Sequence, residues 1–387
     1  MNTGNININI NININIPPSS PRLPNSLIPP HNTSHAPPQY SKKKTSNGSF
    51  QLLSTTSKLS AIQCSQSSGG GGLLAAPPTS LTNGWAAFAN KVSGEWDGFG
   101  ADFTEQGKPM ELPESVVPEA YWEWEVKVFD WQTQCPTLAH PSNFSLDYKL
   151  IRLLPTVGCE ADAATRYSVD QRSITTSSST AFAYHPTTGC YVAAWAASTL
   201  ELELEHCLID PRDKESRVRI IQVLRRGNDD SNPTPLPLLE LKTVKVFREQ
   251  WYGPFRDGDQ LGGCAIRDSA FASTPPLDAS QITGVWEGPI ATATFLNSPP
   301  KNVIQEVNES ATMVTVRDEA ANLVLLPKQL WCCLKDTEIS GETCCEAGWL
   351  LDKGSAITSN CILSKTGDLK ASTLLSNPFV ILFTYYC

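Results

Sequence analysis

Two doublets, Cys332-Cys333 and Cys344-Cys345, are the first residues in this chain whose type and spacing suggest chemistry. A zinc centre needs four thiolates or imidazoles converging on one point, usually from cysteines separated by a short spacer. Neighbours on a strand point to opposite faces, so each doublet splits across its sheet and offers a given face only one sulfur. That leaves a cross-hairpin disulfide or, as a reduced compartment favours, buried thiols. No metal ligand is assigned.

The histidines are equally sparing. His31 and His35 lie far upstream, and His140, His185 and His206 are scattered. His206 continues the row Leu200, Leu202, Leu204 and is expected to be a hydrogen-bonded core histidine. Nucleophile elbows, phosphate loops, dinucleotide fingerprints and His-Glu-x-x-His are missing from the sequence, so no catalytic residue and no cofactor is assigned. Candidate ligand contacts are instead aromatic: Trp122, Trp124, Tyr148, Tyr191 and Trp195, with Arg152 as the accompanying cation. Arg152 shares a row with Leu146, Tyr148 and Leu150. It reads either as the counter-charge of a ligand carboxylate or as a rim residue with its head group in water.

These side chains need strands to position them, and the alternation supplies them. Trp122, Trp124, Val126 and Val128 take one face of a strand expected over residues 121–129, with Glu123, Glu125 and Lys127 on the other. Leu200, Leu202 and Leu204 alternate with Glu201, Glu203 and Glu205. Val218, Ile220, Gln222 and Leu224 alternate with Arg217, Arg219 and Arg225. The apolar rows are expected to face inward and the glutamate and arginine rows to pair outside. Turn signals recur at short intervals, and little of the chain shows a helical period. The fold class is therefore all-β, as antiparallel barrels or sandwiches.

One short motif occurs twice. Gly94-Glu95-Trp96-Asp97-Gly98 and Gly284-Val285-Trp286-Glu287-Gly288 are 190 residues apart, and each precedes a run ending in phenylalanine. A repeat of this kind indicates two copies of one unit. In an up-and-down barrel the last strand returns to the first, and Arg248, on the row of Val244 and Val246, is placed to lie across Trp96 as a cation–π lid. Trp96, Arg248 and Trp286 are thus the expected closure residues. The Gly94-x-Trp96 opening with Arg248 resembles the calycin (lipocalin-like) barrels. Over roughly residues 83–370 the chain is similar to an uncharacterised two-barrel calycin family of cyanobacteria and plastids, itself related to the S-type phycobiliprotein chromophore lyases. The resemblance implies two tandem antiparallel barrels and a small apolar or tetrapyrrole-like ligand.

The expected organisation is a transit peptide over 1–64, a flexible lead-in over 65–82, a first barrel over 83–255, a linker over 256–280 and a second, shorter barrel over 281–387. Residues 1–94 contain no aspartate or glutamate, and 1–64 carry five basic residues among serine, threonine, proline and asparagine. That is the composition of an organelle-targeting leader. The run 61–65, Ala-Ile-Gln-Cys-Ser, resembles plastid processing sites, so the chloroplast stroma is the expected location. Without the leader, 25 basic face 39 acidic residues, a net charge of −14. Such an acidic protein is a poor partner for nucleic acid or anionic lipid, and no apolar run is long enough to span a membrane. The uncharged stretch 377–387 reads as an apolar closing strand or as sequence past the end of the domain. An unguarded apolar edge favours the second. The function expected is binding of a small apolar molecule, a tetrapyrrole or a lipid, within the first barrel. The alternatives are a bilin-lyase-like enzyme or chaperone, and a filled-barrel scaffold for protein partners.

Overall fold

The computed structural model describes residues 79–157, 165–178, 180–198, 200–226, 239–259, 270–295, 303–317, 323–337, 341–364 and 367–376. The leader, nearly all of the lead-in and the segment 377–387 lie outside the described residues.

The chain opens on a helix, α1 (Thr79–Val92). Trp85, Phe88, Ala89 and Val92 stand three, four and seven residues apart and are all buried, as one stripe of a helix must be. Helix α1 therefore replaces the end of the expected flexible lead-in. The strands that follow are β1 (Glu95–Thr104), β2 (Trp131–Gln134), β3 (Thr137–His140), β4 (Ser145–Leu153), β5 (Arg166–Ile174), β6 (Ala181–Tyr184), β7 (Tyr191–Ala196), β8 (Glu201–Ile209), β9 (Ser216–Arg226) and β10 (Leu239–Gly253). The second half contributes β11 (Gly284–Thr294), β12 (Ile304–Glu306), β13 (Asn308–Arg317), β14 (Leu323–Leu326), β15 (Leu330–Thr337), β16 (Glu342–Asp352), β17 (Ser355–Leu363) and β18 (Leu369–Ser376). The fold is all-β and barrel-like.

The first sheet runs β12-β6-β7-β8-β9-β10-β1-β2-β4-β3, with β5 also on β4. Strands β2 and β3 are two halves of one strand between β1 and β4, interrupted at Cys135-Pro136. Across the break the Cys135 amide still donates to Trp96 O at 2.7 Å, and the Lys149 amide donates to Pro136 O at 3.1 Å. Strand β10 returns to pair with β1 along its length, as the sequence led one to expect. Among the described residues the sheet curls but is not sewn shut: the successive strands β5 and β6 do not pair there. The free side of β6 is taken by β12, which adds in parallel from the second half of the chain. The second sheet is antiparallel, in the order β13-β11-β18-β17-β16-β15-β14.

Three expectations fail here. Residues 121–129 do not form a strand. Pro118 caps a short helix, α2 (Glu119–Glu123), and Glu125, at φ 52°, turns the chain out of it. Trp122 and Trp124 are consequently exposed, at 44% and 58%. The faces of β8 and β9 are inverted as well. The leucine and valine rows point away from the curl and pack on the second sheet, where Leu204, Val218, Ile220 and Val246 meet Cys332, Ala347, Ile357 and Leu363. The glutamate and arginine rows pair, but inside the curl, where Glu203, Glu205, Arg217 and Arg219 are buried while Glu201 and Arg225 at the strand ends are not. A sheet with another sheet against its convex side has its larger apolar surface there, so the polar row is left to fill the interior. Arg248 follows the apolar row outward. It stands 6.0 Å from the Trp349 ring of the second sheet and does not lie across Trp96.

Candidate functional site: a buried ionic interior and an apolar cleft

Two glycines start the two halves in the same way. Gly94 and Gly284 have φ of 148° and 117°, a region that disfavours side chains. Each turn brings the tryptophan two residues on back over its own approach: Trp96 Nε1 donates to Val92 O at 2.9 Å, and Trp286 Nε1 to Ile282 O at 2.7 Å. The repeat is thus a structural unit, and in both copies an arginine lies over the ring. In the first it is Arg217 of β9, 4.2 Å from the centre of Trp96. In the second it is Arg317 of β13, 5.4 Å from Trp286.

Around Trp96 the interior is ionic. Arg217 Nε donates to Glu249 Oε2 at 2.6 Å, while Arg219 donates to both oxygens of Glu249 at 3.0 and 2.8 Å and to Glu205 Oε1 at 3.1 Å. Arg217 also reaches Thr137 Oγ1 from both terminal nitrogens, at 3.3 and 3.2 Å. Glu205 collects three further donors: Tyr148 OH at 2.5 Å, Tyr191 OH at 2.9 Å and Trp195 Nε1 at 2.9 Å. Two glutamates and two arginines balance in charge, and all four side chains are almost wholly buried. Burial by itself would raise the Glu205 carboxyl, but Arg219 and Arg172 beside it and the two tyrosine hydroxyls hold it below the ordinary value. Glu249 is held down against its own burial by Arg217 and Arg219. The same environment pushes the Tyr148 and Tyr191 hydroxyls well above theirs, through burial first and Glu205 second.

A more exposed layer lies beside this core. Arg172 donates to Glu203 at 2.5 Å, and Lys245 donates to the same carboxylate at 2.7 Å. Between the layers sit Leu150, Ile221 and Phe247. Of the six expected ligand contacts, Tyr148, Tyr191 and Trp195 do converge, on Glu205 of their own chain. Arg152 is half-buried on β4; burial holds the nearby Asp102 carboxyl above its ordinary value, opposed by Lys245 first and Arg152 second. Trp122 and Trp124 are apart, on the α2 surface. Sequence reasoning missed Glu205, Arg217, Arg219 and Glu249, although their signal was present: Glu203-x-Glu205 and Arg217-x-Arg219 are charged pairs at strand spacing on the adjoining strands β8 and β9.

A separate cleft of about 240 Å³ opens between the sheets. Ile209, Ile290, Ala291, Ile357 and Leu374 supply its apolar walls, with His185, Thr187, Thr188, Cys190 and Glu309 among its remaining lining. The Thr188 amide donates to His185 Nδ1 at 3.3 Å, which makes Nε2 the proton-bearing nitrogen of a neutral imidazole. Burial pushes the His185 pKa down, while Glu309 opposes that shift. The eight described cysteines are free thiols. Cys345 stands opposite Cys361, and neither doublet faces the other in register. Among the described residues no cluster of ligating side chains could hold a metal, and no helix is long and apolar enough to cross a membrane.

Fold and site define an all-β, barrel-like protein whose first sheet encloses a saturated ionic core. No family model and no curated protein matches the chain. Among solved structures it is similar to a protein of unknown function of the DUF3598 family from Nostoc punctiforme, at 15% identity and a TM-score of 0.45. The alignment covers 76% of this chain and 98% of that one.

Proposed function

We propose that this is a non-catalytic, calycin-like binding protein of the plastid, taking a compact apolar molecule in the cleft between its sheets. The observation that carries the reading is the cleft itself, whose apolar walls are buried except at Ile290 and whose one imidazole offers a single N–H. Drug-sized ligands need about 300–1,000 Å³. The ligand is therefore smaller than a tetrapyrrole, with a carbonyl or similar acceptor for His185. The interior of the first sheet is not the site, because its aromatic residues are engaged by Glu205. For that region the saturated network supports the scaffold reading.

Small cyclic ketones and their parent hydrocarbons, titrated while the thermal midpoint is followed, test the proposal. About ten ligand atoms give an affinity of roughly 0.1 mM, with the ketone preferred. Ala291→Leu, which fills the cleft, should abolish the response. If no compound shifts the midpoint, or Ala291→Leu binds as well as the parent protein, the cleft is not a binding site.

A further inference from the structure

The two tryptophan–arginine units differ in one respect. In the first, every nitrogen of the Arg217 guanidinium has an acceptor: Glu249 on Nε, and Thr137 with Cys135 O on the terminal pair. In the second, Arg317 Nε donates to Glu346 Oε1 at 2.6 Å, an oxygen shared with Trp331 Nε1 at 2.7 Å. Its terminal nitrogens, Nη1 and Nη2, are buried without a hydrogen-bond partner among the described residues. The Arg317 side chain is only 5% exposed and lies between two indoles, 5.4 Å from Trp286 and 5.3 Å from Trp331. A buried guanidinium presenting one unsatisfied edge is unusual, since buried polar groups are nearly always paired. A second orphan accompanies it. Thr358 stands opposite Gly348 on β17, on the face that carries Glu346, and its hydroxyl is likewise buried and unpartnered.

We infer that Arg317 is the anchor of a second binding site, on the face of the second sheet away from the first, for a small carboxylate. The two terminal nitrogens match the spacing of carboxylate oxygens and can donate to both side by side. The indoles of Trp286 and Trp331 give the attached apolar body a surface to lie on, and Thr358 is a further donor for the anion. The Arg317–Glu346 pair is already neutral, so a single added negative charge suits the site better than the double charge of phosphate, which costs more to desolvate. Met313, on the same face of the edge strand β13 as Arg317, is exposed, and a ligand would enter from that edge. The site is independent of the cleft that His185 lines.

Calorimetric titration of the full chain with benzoate, benzyl alcohol and inorganic phosphate tests the inference. Benzoate is expected to bind at least tenfold more tightly than the alcohol, with phosphate no better than the alcohol. Arg317→Lys keeps the charge but loses the paired donors, and should weaken benzoate at least tenfold while leaving the alcohol unchanged. If that variant does not fold, the three-ligand series on the unaltered chain decides alone. Equal binding of benzoate and alcohol, no benzoate binding, or a preference for phosphate would each overturn the assignment. So would a high-resolution structure showing both terminal nitrogens saturated by water in the presence of benzoate.

Discussion

Arg217 lies over Trp96 with its guanidinium carbon 4.2 Å from the ring centre, and its Nε on Glu249. Arg248, one residue before Glu249, points to the opposite face and reaches Lys328 O at 3.5 Å. Arg217→Ala would remove a cation–π contact and leave Glu249 with only Arg219 in a buried site. A loss of about 3–5 kcal/mol is expected, the range for breaking a buried pair. Arg248→Ala should cost about 1 kcal/mol. Urea midpoints of the two variants check the contrast, and a larger loss for Arg248→Ala would refute it.

Glu205 is the acceptor on which the interior converges, so its donors should be separable. Tyr148→Phe and Tyr191→Phe each remove one hydrogen bond to a charged group, and each should cost about 1.5–3 kcal/mol. Because both hydroxyls share one carboxylate, the double variant should fall short of the sum. Chemical denaturation of the four proteins in a double-mutant cycle measures the coupling. Strict additivity would show that the two hydroxyls act independently.

His206 links the sheets: Nε2 donates to Gln222 Oε1 at 3.2 Å, and Nδ1 lies 2.9 Å from Ser359 Oγ. Burial holds its pKa down to about 4, against about 6.5 in the unfolded chain. Below pH 6.5 the unfolded state therefore binds the extra proton, so this stability is full above pH 6.5. It is lost as pH falls toward 4, by about 3 kcal/mol in all. Asp97 and Asp130, both pushed up to about 6 by burial, work in the opposite sense over the same interval. The difference between the parent protein and His206→Gln isolates the histidine. The parent should lose stability relative to the variant between pH 6.5 and 4, and parallel curves would contradict the assignment.

The leader carries its own test. Residues 1–64 fused to a fluorescent protein should direct it into plastids, and the chain beginning at residue 65 should stay in the cytosol. Import of the shortened chain would place the targeting information elsewhere.

Much of the architecture could be read from alternation and turn signals, because strands covered on at least one face advertise a period of two. The pairing of β1 with β10 and the repeated Gly-x-Trp unit belong to that legible part. Helix α1 was legible too, in the spacing of Trp85, Phe88, Ala89 and Val92, but lay hidden beside a proline-rich lead-in. What alternation cannot tell is which face is inside. Leu202 and Leu204 against Glu203 and Glu205 reads as dry against wet only while one side meets water. Once a second sheet covers the convex side, both faces are dry and the charged one must neutralise itself. Arg317 was missed for a simpler reason: it ends its strand, where a periodic pattern has no next residue to confirm it.

Strand β12 bonds to β6 across a long stretch of chain, with Tyr184 and Glu306 in contact although 122 positions apart. A ribosome adding about 5–20 residues per second needs on the order of ten seconds to cover that distance. During that interval β6 has neighbours on one side only, and the aromatic group of Phe182, Tyr184 and Tyr191 borders an unfinished edge. Such long-range pairing is slow to form and late to protect. The nascent chain therefore passes through a stage in which its amino-terminal half cannot complete itself, and this is the stage at which a chaperone would have most to do.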